Sequence, residues 1–287
     1  MSNVPRVSII IVNWNGRELL ERCLASITAR VSTPHEVIVV DNGSSDGTPA
    51  MVIEKFPAVK LIHNSTNRGF SAANNQGWTQ AVSQAVFFLN ADTELTVDPF
   101  PVLLENFERN DRIGAVAPRL LNPDGSFQAS IRHWPRWSDQ VITLLKLRHL
   151  LRRTPVMQRY YDQRYATASE PIDVDEIMGA AILARRETLV ELGGWDEGYW
   201  IWFDDVDFCQ RLHRAGWLVA YDPRTSLIHI GGSSFSQFLS LTKHVWFIKS
   251  LARYARKYWS PLAALSLWPF FVVSYLLTVL QTAIKPR

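Results

Sequence analysis

Two adjacent carboxylates, Asp204 and Asp205, stand in the aromatic-rich stretch Trp195-Asp196-Glu197-Gly198-Tyr199-Trp200-Ile201-Trp202-Phe203-Asp204-Asp205-Val206-Asp207. Burying neighbouring like charges among aromatic rings is costly, so such a cluster marks a place where a proton or a metal is handled. Two further carboxylates end apolar runs: Asp41 follows Val37-Ile38-Val39-Val40, and Asp92 follows Val86-Phe87-Phe88-Leu89-Asn90-Ala91. Strand ends of this kind are where open α/β sheets bind ligands. The expectation is a catalytic α/β domain.

The elements that must position these residues alternate along the chain. Val7–Val12 reads as a strand and precedes a helical pattern through Leu19, Leu20, Cys23, Leu24 and Ile27. Val37–Val40 precedes Thr48–Phe56, Lys60–His63 precedes Ser71–Ser83, and Val86–Leu89 precedes Pro99–Arg109. This order predicts a doubly wound sheet with helices on both faces. The loops after the strands carry turn formers, and Ser45 or Asp46 is expected to cap the helix that follows. Asp207 is expected to start or support a helix over Phe208–Ala215. Neither a Walker loop nor a GxGxxG fingerprint follows any strand, which removes the expected signature of an NTPase and of a dinucleotide dehydrogenase.

Composition bounds the setting. The 287 residues are 47% hydrophobic, enough for one large domain and an appendage. Cys23 and Cys209 have no partner spacing, so a reducing compartment is expected. The N-terminus runs directly into a strand pattern without a signal-peptide core, so the catalytic part is expected to stay in the cytoplasm. The net charge of +3 hides segregation: residues 132–164 carry eight Lys/Arg against two acids, and residues 243–287 carry seven against none. Residues 132–164, with Lys146, Arg148, Arg152 and Arg153 among Val141, Ile142, Leu144, Leu145, Leu147, Leu150 and Leu151, read as a basic amphipathic helix that lies on lipid, holds a diphosphate-linked acceptor or packs on the domain with its basic face in solvent. In the tail, Lys243, Lys249, Arg253, Arg256 and Lys257 precede the uncharged run Tyr258–Ile284, with Lys285 and Arg287 beyond it. Such a run is long enough to cross a bilayer, while Pro261 and Pro269 also allow a membrane-lying or re-entrant pair, or a helix packed on protein. A chain ending near Arg256 is expected to retain turnover on a soluble acceptor analogue.

Six motifs occur in unbroken order: Val7-Ser8-Ile9-Ile10-Ile11-Val12-Asn13-Trp14-Asn15-Gly16, Val39-Val40-Asp41-Asn42-Gly43-Ser44-Ser45-Asp46-Gly47-Thr48, Asn67-Arg68-Gly69-Phe70-Ser71-Ala72-Ala73-Asn74-Asn75-Gln76-Gly77, Leu89-Asn90-Ala91-Asp92, Gly179-Ala180-Ala181 and Phe203-Asp204-Asp205-Val206-Asp207. Each alone is weak; the series resembles glycosyltransferase family 2, in its bacterial rhamnosyltransferase-like and galactofuranosyltransferase-like branch. The resemblance covers roughly residues 5–235. It implies a GT-A fold (a Rossmann-like, doubly wound mixed sheet), a nucleotide-sugar donor, a divalent cation and inversion at the anomeric carbon.

Carried over residue by residue, the resemblance gives Asp41 the nucleoside, and Asn67, Arg68, Gly69 and Asn74 the loop that closes over nucleotide and diphosphate. Asn13 and Asn90 join them at the donor site. Asn90-Ala91-Asp92 occupies the DxD position with an amide in place of the first carboxylate, so Asp92 is left as its anionic metal ligand. His229 resembles the second protein ligand of Mg²⁺ or Mn²⁺. An inverting transfer needs a carboxylate near the attacking hydroxyl, and Asp205 takes that part as base, with Asp204 orienting the acceptor or tuning its neighbour. Apart from the resemblance, Trp195, Tyr199, Trp200 and Trp202 surround the acidic cluster, where they either offer aromatic faces to an acceptor sugar or pack as core.

The combined expectation is a GT-A catalytic domain over residues 1–240, with 132–164 as a basic amphipathic insertion and 241–287 as a membrane-associating helical region. Its function would be transfer of a sugar, with dTDP-L-rhamnose favoured by the branch resemblance, to a hydroxyl of a lipid-linked glycan at the cytoplasmic face of a membrane, in cell-surface polysaccharide synthesis. No nucleic-acid partner is expected. The alternatives are a glycosyltransferase acting on a polyprenyl phosphate and a catalytically silent sugar-nucleotide-binding scaffold.

Overall fold

The computed structural model describes residues 5–162, 164–231 and 240–284. Gly232 and Ser233, from the stretch after His229, and the flanking Lys285 and Arg287 lie outside the described residues.

The apolar runs become central strands: β1 (Val7–Asn13), β2 (His35–Asp41), β3 (Lys60–His63) and β4 (Ala85–Asn90). Ile9, Ile10 and Ile11 of β1 are completely buried, as a strand covered on both faces requires. The remaining strands are β5 (Thr93–Leu95), β6 (Ile113–Leu121), β7 (Ile131–Arg132), β8 (Ile172–Asp173), β9 (Glu176–Ile177), β10 (Ala181–Arg185) and β11 (Leu218–His229). The main sheet runs β3-β2-β1-β4-β10-β6-β11-β5, with β8 on β11, and β7 pairs β9 separately. β1 to β4 are parallel, β10 is antiparallel to both neighbours, and β11 is parallel to β6. The sheet is therefore mixed, and the chain has the GT-A fold.

Alternation sends odd and even residues of β1 to different cores. Ile9 and Ile11 pack with α1 (Arg17–Arg30), α2 (Thr48–Lys55) and α4 (Phe100–Arg109). Ile10 faces the side of α3 (Phe70–Thr79), α8 (Arg186–Leu192) and α9 (Asp204–Arg214). Gly77 permits α3 to lie directly on β1, since a Cβ there would collide with Ile10. Asp46 does not cap its own helix as a simple N-cap would; it accepts the Arg17 N–H of α1 at 2.9 Å and the Thr48 N–H at 3.1 Å, joining two helix starts.

The single basic amphipathic helix expected over 132–164 is not formed. That segment holds α5 (Trp137–Leu144) and α6 (Pro155–Tyr160), followed by α7 (Arg164–Thr167). α5 ends because Leu147 N–H bonds the Ile142 carbonyl and Lys146 N–H the Thr143 carbonyl, with Lys146 at φ 62°. This is the Schellman arrangement, built on lysine at the position where glycine is usual. The same bonding ends α8, with Gly193 in the left-handed region.

A third apolar cluster joins α5 to the tail helices α10 (Ser240–Tyr258), α11 (Pro261–Leu265) and α12 (Trp268–Ile284) and contains Val141, Leu144, Tyr199, Phe203, Val206, Leu251, Tyr254, Leu267 and Phe271. Along α12 and the residue before it, Leu267, Phe271, Ser274 and Thr278 are buried at helical spacing, and Ser274 donates to the Leu144 carbonyl at 2.6 Å. Leu262, Leu265, Trp268, Val272, Leu276 and Leu280 are exposed on the other side. Pro261–Ala283 is long and apolar enough to cross a membrane, with mean hydropathy 1.9.

Candidate active site

The parallel register aligns the strand ends. Asn13 of β1 pairs with Asp41 of β2, Asp41 with His63 of β3, and Val12 with Asn90 of β4. These carboxyl ends flank the point where the chain turns from building outward through β2 and β3 to building inward through β4, which opens a crevice. Asn13, Asn67, Gly69, Asn90, Asp92, Asp204, Asp205 and His229 line one cleft of about 460 Å³ at that point.

Asp41, Arg68 and Asn74 are not among its lining residues. Asp41 is completely buried; its Oδ2 accepts from the Ser44 N–H at 3.1 Å and bonds His63 Nδ1 at 2.9 Å. Its Oδ1 is buried with no hydrogen-bond partner among the described residues, a cost of a few kcal/mol for a carboxylate unless a donor arrives. Asn74 donates within its own helix to the Phe70 carbonyl at 3.1 Å. Arg68 is exposed, and its backbone N–H donates to Asn42 Oδ1 at 2.9 Å. Asn42 also donates to Asn67 Oδ1 and to the Gly69 carbonyl, so this amide, which the sequence reading did not single out, pins the loop. Gly69, at φ 85°, lets the loop pass against the Trp200 ring, where any Cβ would sit about 3.0 Å from it.

At the other end of the crevice, His229 Nε2 lies 3.3 Å from Asp92 Oδ1 and 3.5 Å from Asn90 Nδ2. Gln128 fixes this imidazole. Its Nε2 donates to the Asn122 side chain and the His229 carbonyl, so its Oε1 accepts from His229 Nδ1–H at 2.6 Å. In the neutral ring the Nε2 lone pair then faces a carboxylate oxygen, an arrangement suited to a cation between them. No group of three or more His, Cys, Asp or Glu is placed to hold a metal among the described residues. Asp92 and His229 are a pair rather than a closed ligand set, and a divalent ion between them would need further oxygen ligands from phosphate or water.

The acidic pair opens α9, an anion-favouring helix start. Trp202 and Phe203, just before it, both have left-handed backbone at φ 60° and 61°. Two successive bulky residues there are strained, and strain of this kind collects at functional sites. Asp205 Oδ2 accepts the Gly179 N–H at 3.1 Å, which fixes the half-buried carboxylate against the loop before β10. Asp204 is only 5% exposed, and burial, reinforced by the Asp205 charge, pushes its carboxyl up to about 8. Asp207 is turned away from the cleft. It receives Tyr199 and Tyr258 hydroxyls, Arg211 and Lys257, tying α9 to α10. Asp196 does the same with Arg253 and Lys257.

Of the four aromatics, Trp200 and Trp202 line the cleft. Trp195 and Tyr199 are core: Trp195 stacks on Phe208 at 4.9 Å, and Tyr199 belongs to the third cluster. Burial thus divides the four between the two readings that the sequence leaves open. The cleft also contains Arg132, Tyr160 and Tyr161, which the sequence reading did not single out, and Arg148, which it set on the basic helix. Arg132 Nη1 pairs with the fully buried Glu176 at 3.2 Å. Burial pushes Glu176 up to about 8 although the guanidinium opposes the shift.

The description "Glycosyl transferase family 2" matches residues 8–187. The chain belongs to glycosyl transferase family 2. This family 2 enzyme is 31% identical over 232 residues to an N-acetylglucosaminyl-diphospho-decaprenol L-rhamnosyltransferase of Mycobacterium tuberculosis, covering 77% of this chain and 75% of the relative. It is 27% identical over 225 residues to a poly-beta-1,6-N-acetyl-D-glucosamine synthase of Staphylococcus epidermidis, covering 77% of this chain and 49% of that relative. Among solved structures, it resembles the mannosyltransferase PcManGT of Pyrobaculum calidifontis, in complex with GDP-Man and Mn²⁺, with a TM-score of 0.59, 19% identity, and 99% of this chain and 76% of that chain covered. The family 2 enzyme also resembles GalNAc-T7 with UDP, GalNAc and Mn²⁺, with a TM-score of 0.59, 20% identity, and 80% and 44% covered.

Proposed function

We propose that this glycosyltransferase moves a sugar, L-rhamnose in the favoured reading, from a nucleoside-diphosphate donor to a hydroxyl of a lipid-diphosphate-linked glycan at the cytoplasmic face of a membrane. The observation that carries the reading is that the strand-end groups Asn13 and Asp92, the loop amide Asn67 and the carboxylate Asp205 line one cleft. The Mycobacterium tuberculosis relative supports the sugar and the class of acceptor.

In this reading the buried, unpartnered Asp41 Oδ1 receives a nucleoside N–H. The Asn42-pinned loop holds the donor against β1. Asp92 and His229 hold a divalent cation, which supplies compensation for the negative charge that develops on the departing diphosphate. Asp205, held by the Gly179 N–H, accepts the proton of the attacking hydroxyl from the opposite side, and the anomeric centre inverts. Asp204, whose burial disfavours its charged form, limits repulsion beside the working carboxylate. The exposed apolar side of α11 and α12 rests on lipid while the other side stays packed on the catalytic part.

The test is a panel of nucleotide sugars offered with a short-chain prenyl-diphosphate sugar acceptor, read as release of nucleoside diphosphate and formation of glycoside. Transfer from one or a few donors supports the reading. Absence of glycoside with every donor, in a protein that binds nucleoside diphosphates, contradicts it.

A further inference from the structure

Arg132 and Arg148 are the two Lys/Arg side chains that line the cleft among the described residues, and both flank one ring. Their guanidinium carbons lie 5.9 Å and 5.1 Å from the Tyr161 centroid, and Arg148 also donates to the Tyr161 hydroxyl. Arg132 Nε is buried with no hydrogen-bond partner among the described residues, while Nη1 is spent on Glu176. A neutral sugar gives no reason to bring two guanidinia into a cleft, whereas a diphosphate matches their planar, multidentate donors.

Position decides which diphosphate. Arg132 is within electrostatic reach of Asp205, and Arg132 and Arg148 both lie over the Tyr161 ring. Arg148 lies in the turn that leaves α5 at Leu144, whose carbonyl is bonded by Ser274 of α12. Leu150 in the same turn is 78% exposed. The order from the reacting centre outward is thus carboxylate, two guanidinia, apolar surface. A lipid-linked acceptor has the same order: hydroxyl-bearing sugar, diphosphate, lipid.

We infer that Arg132, Arg148 and Tyr161 form a subsite for the diphosphate of a lipid-linked acceptor, separate from the strand-end groups that take the donor. The inference rests on the glycosyl-transfer reading above and names the anionic part of its acceptor. The probe is a short-chain prenyl diphosphate without sugar, titrated calorimetrically beside UDP and dTDP, with the matching prenyl alcohol as the uncharged control. Arg148→Gln, at an exposed site, should weaken prenyl diphosphate about tenfold or more and leave both nucleoside diphosphates within about twofold. Arg132→Gln would strand the buried Glu176, so it is paired with Glu176→Gln; the double variant should show the same selectivity. Wild-type protein that binds prenyl diphosphate no better than the alcohol overturns the subsite while leaving the transferase reading in place. Nucleoside diphosphate weakened as much as prenyl diphosphate assigns the arginines to the donor and also overturns it. Unchanged prenyl diphosphate binding in both variants does the same.

Discussion

One wall of the cleft hangs from four parallel strands, whose hydrogen-bonded register sets Asn13, Asp41 and Asn90 within one residue of each other. The opposite wall is assembled from segments distant in the chain: β7, the turn after α5, the strained Trp202-Phe203 step and α10. Its fixings are side chains, such as Lys257 on both Asp196 and Asp207, Ser250 on the Ile201 carbonyl, and Ser274 on Leu144. Backbone register tolerates most side-chain changes, whereas a wall held by pairs fails when its anchors are removed. The strand-end wall should therefore be robust and the opposite wall conditional on the tail.

The largest effect should come from the tail. The expectation that a chain ending near Arg256 stays active is revised, because Lys257 and Tyr258 bond Asp207, and Leu267 and Phe271 complete the third cluster. Each of those two buried apolar side chains stabilises by roughly 2 kcal/mol. A chain ending at Arg256 should lose about 10²-fold or more in turnover while binding nucleoside diphosphate almost as before. Equal loss of both, measured by titration and single-turnover assay, would erase the contrast between the walls.

A smaller effect belongs to the strand-end wall. Asp92→Ala and His229→Ala should each weaken donor binding about tenfold with Mn²⁺ present and much less in chelator, and Gln128→Ala should reproduce part of the His229 defect. Donor affinity indifferent to metal in the wild type would remove the cation from the site.

Smaller again is a pH effect on stability. The Asp204 carboxyl sits at about 8 when folded, above the ordinary carboxylate range near 4. Folding therefore favours its protonated form, so its contribution is full below the ordinary value and is lost as pH rises toward the folded one. Wild-type Tm should fall by several degrees between about pH 5 and pH 8, and Asp204→Asn should remove part of that fall, Glu176, also raised to about 8, carrying another part. A parallel slope in the variant would assign the pH dependence elsewhere. Smallest of all, Asn74→Ala should change turnover less than about threefold, since its amide is spent within α3. A larger loss in a steady-state assay would bring Asn74 back to the donor.

The sheet was readable because its strands are apolar runs ended by turn formers, with Asp41 and Asp92 at those ends, while the Asp204-Asp205 pair stood out in the aromatic stretch before α9. What sequence hid is mostly on the other wall. Lys146 ends α5 in a conformation that glycine would have announced, as Gly193 does for α8. Arg132 and Arg148 looked like members of one basic helix face, because only folding sets them across the Tyr161 ring. Asp207 had the spacing of a helix cap, while its role with Lys257 and Tyr258 depends on a helix about fifty residues later. Local patterns encode local geometry; long-range side-chain pairs leave no period.

The division of labour between the walls rests on Asp205, and one variant tests it most directly. Asp205→Asn keeps the side-chain shape, and its turnover and nucleoside-diphosphate affinity can be measured on the same folded protein. The account predicts turnover lower by about 10²-fold or more with affinity within about twofold of wild type. Wild-type turnover would contradict it.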